Sequence, residues 1–309
     1  MTARVTRDDV LSAAERLDGF IRRTPLLELD PEPGRPRIAV KLECLQGSGS
    51  FKLRGATNRI LLDEGRHKGV VAMSGGNHGL AVAHASRRLG LTADVFATGA
   101  SAHKIRLMQA AGATVHVLDG PGSELTGRCL DFAERHEALF VHPFNDPAVV
   151  AGQGTVGLEI IEQWPEVTDV VVAVGGGGLA SGVALAVAGS ARVVPIEPVE
   201  CPTLAAALEA GRPVPVEVGG IAADALGASE LGEIAYAVLA PLVRRVALVA
   251  EGEILAAQRQ LWERYRLAVE PAAATAWAAT LGDDIEFGPD ARIVVVLCGA
   301  NVDPTTLAV

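Results

Sequence analysis

The chain has 309 residues, 49% apolar and 21% charged, with a formal net charge of −10. That length allows about two domains around a well-buried core, and the composition excludes a disordered chain. The acidic balance excludes an electrostatic nucleic-acid binder; the opening stretch MTARVTRDDVLSAAERL suits neither a signal nor a transit peptide, and no run approaches the ~18 apolar residues of a membrane span.

Short β-branched runs predict strands at Ile38–Leu42, Val70–Met73, Ala93–Ala97, Thr114–Val117, Leu139–His142, Val170–Val174, Val193–Ile196 and Ile293–Leu297. Helical periodicity lies between most of them, as in Leu80–Leu89, Lys104–Ala111 and Val149–Gln163. This alternation predicts an α/β fold with parallel sheets and helices on both faces. The four cysteines, at 44, 129, 201 and 298, lie far apart with no CxxC pair, which points away from zinc or disulfides and towards a reducing cytoplasm. Glycines cluster at strand ends, where open α/β sheets bind ligands.

Four features carry chemistry. The first is Ser48-Gly49-Ser50-Phe51-Lys52-Leu53-Arg54-Gly55-Ala56. Lys52 opens a helix, where the dipole lowers an amine's pKa. Only the neutral amine attacks a carbonyl, so the setting suits an imine-forming lysine. Phe51 offers a flat face to a cofactor ring. Taken alone, the segment reads equally as a surface lysine heading an amphipathic helix. The second feature, Ser74-Gly75-Gly76-Asn77-His78-Gly79, turns a strand into a helix and points backbone N–H groups at one spot. An anion such as a substrate carboxylate fits there; so does a plain turn capped by Asn77.

The third feature is Gly175-Gly176-Gly177-Gly178-Leu179, whose backbone can wrap a phosphate. It also fits a dinucleotide pattern, with Gly175, Gly177 and Ala180 as the turn and Glu197 as the ribose-binding acid. That reading leaves the first two features unexplained. The fourth is Cys298-Gly299-Ala300-Asn301, after the strand IVVVL. Cys298 reads either as a neutral partner for a ring nitrogen or as a small buried apolar residue.

In this order, and with RRTPLLEL, HPFNDPAVVAGQGTVGLEI, GIAADALG and LAVEPAAA, the motifs resemble the fold-type II pyridoxal-phosphate family, in its serine/threonine dehydratase and serine racemase branch. The resemblance implies a tryptophan-synthase-β-like fold of two three-layer α/β domains with parallel-rich sheets. The small domain spans 69–146 and the large one combines 1–68 with 147–309, with pyridoxal 5′-phosphate between them. Lys52 is then the Schiff-base lysine and the base for the α-proton. Asn77 hydrogen-bonds the cofactor's phenolic oxygen, and Ser74, Gly75, Asn77 and His78 hold the substrate carboxylate. Gly175, Gly176, Gly177, Gly178 and Leu179 cradle the phosphate, Cys298 faces the ring nitrogen, and Phe51 lies against the ring. The implied activity is β-elimination of a small β-hydroxy amino acid, L-threonine or L-serine, to a 2-oxo acid and ammonia. The implied protein is a cytoplasmic homodimer with no nucleic-acid or membrane partner.

Three departures matter. Gly75 stands where racemases of the branch carry a second serine, the base on the opposite ring face, so elimination is expected to exceed racemisation; a positive φ would be one reason for glycine there. Glu197 and the Cys201 backbone match a divalent-metal site, but Thr203 replaces the expected aspartate, so no metal is expected. The chain ends at Val309, soon after the ring-nitrogen motif, so feedback through a regulatory domain is not expected. The alternatives are a 3-hydroxyaspartate dehydratase, an amino-acid racemase, a cysteine-synthase-like β-replacement transferase, a non-catalytic cofactor-binding module and the nicotinamide oxidoreductase. His84, His103, His116 and His136 show no ligand spacing. Trp262 and Trp277 read as core or interface, and Asp283–Glu286 as a solvated loop.

Overall fold

The computed structural model describes residues 4–119, 124–282, 285–288 and 290–303. Asp283 and Asp284 of the acidic loop lie outside the described residues. Among the described residues there are ten strands: β1 Leu26–Glu28, β2 Arg37–Lys41, β3 Gly69–Met73, β4 Thr92–Ala97, β5 Thr114–Val117, β6 Ala138–Val141, β7 Asp169–Ala173, β8 Arg192–Pro198, β9 Ala247–Val249 and β10 Arg292–Val296. They form a six-stranded sheet, β1-β2-β10-β7-β8-β9, and a four-stranded sheet, β5-β4-β3-β6. Only the β1–β2 pairing is antiparallel. The eight predicted strands are present within about two residues of their predicted ends. The three-residue edge strands β1 and β9 were not foreseen, being too short to show a period.

Burial on both faces explains the continuous β-branched runs. Along β3, Val70 and Ala72 pack into one apolar cluster and Val71 into another on the opposite face. The larger sheet is embedded in a single extensive core containing Val170, Val171, Val172, Val294, Val295 and Val296.

One helix organises the active region. Asp146 caps Pro147–Gln163, accepting from the N–H groups of Ala148 and Val149, and Pro147 pre-sets its first turn. A Cβ on Gly152 would lie 2.7 Å from Gly55 Cα, and one on Gly154 would lie 2.7 Å from Gly182 O. The glycines of AGQGT therefore let two further helices dock closely: Lys52–Leu61 and Gly178–Val187. The first begins with the predicted lysine and the second ends the glycine loop, so one hub fixes both. Beneath them lies a buried ion cluster. Arg54 grips Glu43 in a two-pronged contact (2.7 and 2.8 Å) and reaches Glu159 at 2.6 Å, while Lys41 pairs with Glu159 at 2.5 Å.

Candidate active site

The predicted features follow the carboxyl ends of parallel strands: β2 leads to Lys52, β3 to Ser74–Asn77, β7 to the glycine loop and β10 to Cys298. This is where the architecture places ligands. Phe51, Lys52, Asn77, Gly175, Gly176, Gly177, Gly178, Leu179 and Cys298 all line one cavity there. Ser74 and Gly75 lie in the turn that leads into Asn77 and His78 follows it in the helix, all three beside that cavity rather than in its wall.

Lys52 and Cys298 come together because their segments pair. Ser50 and Gly299 form an antiparallel bridge, and the N–H of Phe51 donates to Cys298 O at 3.1 Å. Lys52 heads its helix with no side-chain cap, and its amine donates to Pro143 O at 2.7 Å. Burial brings its pKa down to about 8. The uncapped helix start expected from the sequence is present, and burial adds to its effect on the amine. Burial pushes the Cys298 thiol up, with the Glu270 charge adding to it, so it stays neutral.

Asn77 is held from two sides. Its amide nitrogen donates to Glu270 Oε2 at 2.6 Å, and its oxygen accepts from Asn301 Nδ2 at 2.8 Å. One N–H of the Asn77 amide is thus left over for a ligand. Glu270 and Asn301 lay inside motifs read from the sequence but carried no assigned role. The helix Asn77–Leu89 has no side-chain cap, so its leading N–H groups remain open to an anion. Ser74 Oγ accepts from Gly76 N at 3.1 Å. His78 turns inward: its Nε2 meets Val141 O at 2.9 Å, and burial lowers its pKa to about 3. Only its backbone N–H is left for an anion at the turn.

Gly75 has no positive φ, contrary to the reason considered above. Its constraint is steric, since a Cβ there would lie 2.6 Å from the Ala100 methyl. Beside this turn stands a cation that the sequence reading missed. Lys104 is 7% exposed and paired with Asp224. Lys104 and Met108 are the two buried residues of their helix, a spacing of four that places the lysine on the core face.

The glycine loop opens the helix Gly178–Val187, again with no side-chain cap, and Gly177 has φ +81°. Not every glycine there serves a ligand. A Cβ on Gly176 would lie 2.3 Å from the Phe144 ring, and one on Gly175 would lie 2.6 Å from Leu226 O. Phe144 was also missed; its ring packs on the loop from inside the cavity.

The donor set fits the pyridoxal phosphate that the resemblance implies. A lysine amine of lowered pKa is available to an aldehyde, an uncapped helix N-terminus to a phosphate, an aromatic face to a ring, and a neutral thiol to a ring nitrogen. A divalent cation does not fit at Glu197. Its carboxylate caps the helix Thr203–Ala210, accepting from Leu204 N at 2.7 Å, Ala205 N at 3.0 Å and Thr203 Oγ1 at 2.9 Å. Burial pushes its pKa up to about 7. Among the described residues no group of three His, Cys, Asp or Glu side chains is arranged for a metal. The same capping removes Glu197 from any ribose, which undoes the dinucleotide reading. Of the remaining histidines, His116 stacks on Phe96 and meets Asp94, and His136 stacks on Phe132. Trp277 is core and donates to Gln260.

Comparison with known proteins bears on the family and the fold. The family profile of pyridoxal-phosphate dependent enzymes matches residues 17–299. L-threonine ammonia-lyase of Thermotoga maritima is 37% identical over 97% of this chain and 76% of its own length. Phenylserine dehydratase of Ralstonia pickettii is 37% identical over 95% and 92%. The structure of maize serine racemase superposes with a TM-score of 0.92 at 32% identity, covering 99% of this chain and 96% of its own. With its two parallel-rich sheets and its lysine, glycine-loop and cysteine cavity, the chain belongs to the pyridoxal-phosphate dependent enzymes, with the type II fold.

Proposed function

We propose that this enzyme deaminates a small β-hydroxy amino acid, L-threonine or L-serine, by β-elimination to a 2-oxo acid and ammonia. The observation that carries the reading is the Lys52 amine. It is enclosed, held on a peptide carbonyl, brought down to about pKa 8, and set in one cavity with Asn77, the glycine loop and Cys298. Bound there, pyridoxal phosphate supplies an electron sink for the α-carbon.

Lys52 is assigned to carry the cofactor and, once released, to take the α-proton. The bond electrons form the Cα–Cβ double bond, the Cβ–O bond breaks, and the hydroxyl leaves as water after gaining a proton. The enamine product tautomerises, and water replaces its nitrogen to release ammonia. The hydroxyl of Ser74 and the open N–H groups at Gly75, Asn77 and His78 are assigned to the substrate carboxylate, and the N–H groups of Gly175 to Leu179 to the phosphate. Cys298, as a neutral thiol, is a weak proton donor to the ring nitrogen. That shortens the life of α-carbanion character and favours early loss of the hydroxyl.

The resemblance to a serine racemase supports a second reading. Against it stands Gly75, which carries no acid, and a serine introduced there collides with Ala100. Incubation with L-serine should give pyruvate in large excess over D-serine. Comparable rates of the two products overturn the elimination reading. A panel of L-threonine, L-serine and threo-3-hydroxyaspartate, assayed for 2-oxo acid, names the substrate. Cysteine formed from O-acetylserine and sulfide, with no 2-oxo acid from the panel, makes the enzyme a transferase instead.

The domain division is part of the proposal. All strands of the four-stranded sheet come from 69–146, and all of the six-stranded sheet from outside it. A reducing, cytoplasmic setting agrees with four buried free cysteines. A homodimer is the expected assembly, which sedimentation tests. Among the described residues no helix is long and apolar enough to cross a membrane.

A further inference from the structure

Lys52 is held by a backbone carbonyl, not by an acid. Its amine donates to Pro143 O, and burial lowers its pKa. That carbonyl belongs to the peptide unit between Pro143 and Phe144, so the N–H of the same unit is that of Phe144. This N–H donates to His142 Nδ1 at 3.2 Å, and the next one, from Asn145, donates to the same nitrogen at 2.8 Å. A trans peptide is planar, with its C=O and N–H pointing in opposite directions. Fixing the N–H on the imidazole therefore aims the carbonyl at Lys52. Polarisation through one peptide group strengthens both bonds.

We infer that His142 is a positioning residue for Lys52, acting through the Pro143–Phe144 peptide. The inference rests on the reading that Lys52 captures the cofactor. Two donors converge on Nδ1, so the ring proton resides on Nε2 and the Nδ1 lone pair must stay free. Burial and the Lys52 charge lower the His142 pKa to about 4, with Asp146 opposing. The charged or titratable groups around it are Lys52, Asp146 and His78. Asp146 is already occupied by two backbone N–H groups and Arg59. The ring itself is set edge-on between Phe140 and Phe144. The geometry gives the released amine one resting place, and the amine leaves it only to attack a carbonyl or to take a proton.

The test uses the cofactor-free protein. Capture of pyridoxal phosphate is followed by absorbance and by the mass fixed with borohydride. Binding of 4-deoxypyridoxine phosphate, which has the ring and phosphate but no aldehyde, is measured in parallel. His142→Ala is expected to slow capture roughly tenfold while leaving analogue affinity within about twofold, the scale of one hydrogen bond. In His142→Asn the Oδ1 atom takes the place of Nδ1 and accepts the same N–H groups, so capture returns to within about threefold of wild type. His142→Asp keeps the acceptor and adds negative charge beside the amine, so the pH midpoint of capture rises.

Wild-type capture rates in His142→Ala overturn the inference, as does failure of Asn to restore them or loss of analogue affinity in step with capture. If the Ala variant does not fold, the Asn–Asp pair decides: equal midpoints overturn the inference, and a higher midpoint in Asp supports it. Absence of capture in wild type defeats the reading of Lys52 itself and is distinct from all of these outcomes.

Discussion

The head and the flank of the helix Lys52–Leu61 treat an enclosed cation in opposite ways. On the flank, Arg54 is fully buried and meets two carboxylates, Glu43 and Glu159, which hold its charge more firmly than water does. At the head, Lys52 meets a peptide carbonyl and a neutral thiol, and burial brings it down to about pKa 8. One residue separates these cations on one helix: Arg54 is fully buried, whereas Lys52 is half-buried at the cavity wall. Carboxylates are present where the chain needs a fixed charge and absent where it needs a lone pair.

The largest effect should come from removing the amine. Lys52→Ala is expected to lower turnover by on the order of 10⁴-fold or more, since it deletes both the covalent anchor and the base. Its thermal midpoint should hold or rise, because the enclosed amine has no ionic partner to lose. Arg54→Met should do the reverse. It leaves Glu43 without a cation and Glu159 with Lys41 alone, at a cost of about 3–5 kcal/mol, while the remaining folded protein still captures the cofactor on Lys52. An unchanged denaturation midpoint for Arg54→Met contradicts the contrast from one side; a collapse of Lys52→Ala contradicts it from the other.

The pH dependence sharpens the contrast. The folded pKa of Lys52 lies below the ordinary lysine value, so the neutral amine appears as pH rises through about 8. Capture of pyridoxal phosphate by cofactor-free protein should be slow below that value and level off above it. A midpoint near the usual lysine range shows an amine open to water. The smallest expected effect is that of a chelator. With Glu197 engaged by Thr203, Leu204 and Ala205, activity should change by less than about twofold. Loss in chelator restored by magnesium points to a site elsewhere.

Much of this was legible before the fold was known. Parallel strands buried on both faces leave long β-branched runs, and ligand loops at their carboxyl ends leave glycines, so β3, β7, β10 and their turns stood out. Lys52, Asn77 and Cys298 stood out because each follows such a turn, and they line one cavity. What stayed hidden depends on pairings between distant segments. Asn77 is oriented by Glu270 and Asn301, and Lys52 by Pro143; no local period reports such partners. Gly176 and Gly75 looked like ligand glycines, yet Phe144 and Ala100 account for much of their constraint. The helix start behind Lys52 is visible in sequence, and the structure places it there; the burial that lowers its pKa is not.

The central claim is that Lys52, alone among the four lysines, carries the cofactor and does the chemistry. Its most direct test is to treat the protein loaded with pyridoxal phosphate with borohydride, digest it, and locate the phosphopyridoxyl group by mass. The account predicts one modified peptide, with the label on Lys52 of GSFKLR, and its loss when L-threonine is present in excess before reduction. A label on Lys41, Lys68 or Lys104, or an unlabelled Lys52 in protein that holds the cofactor, contradicts it.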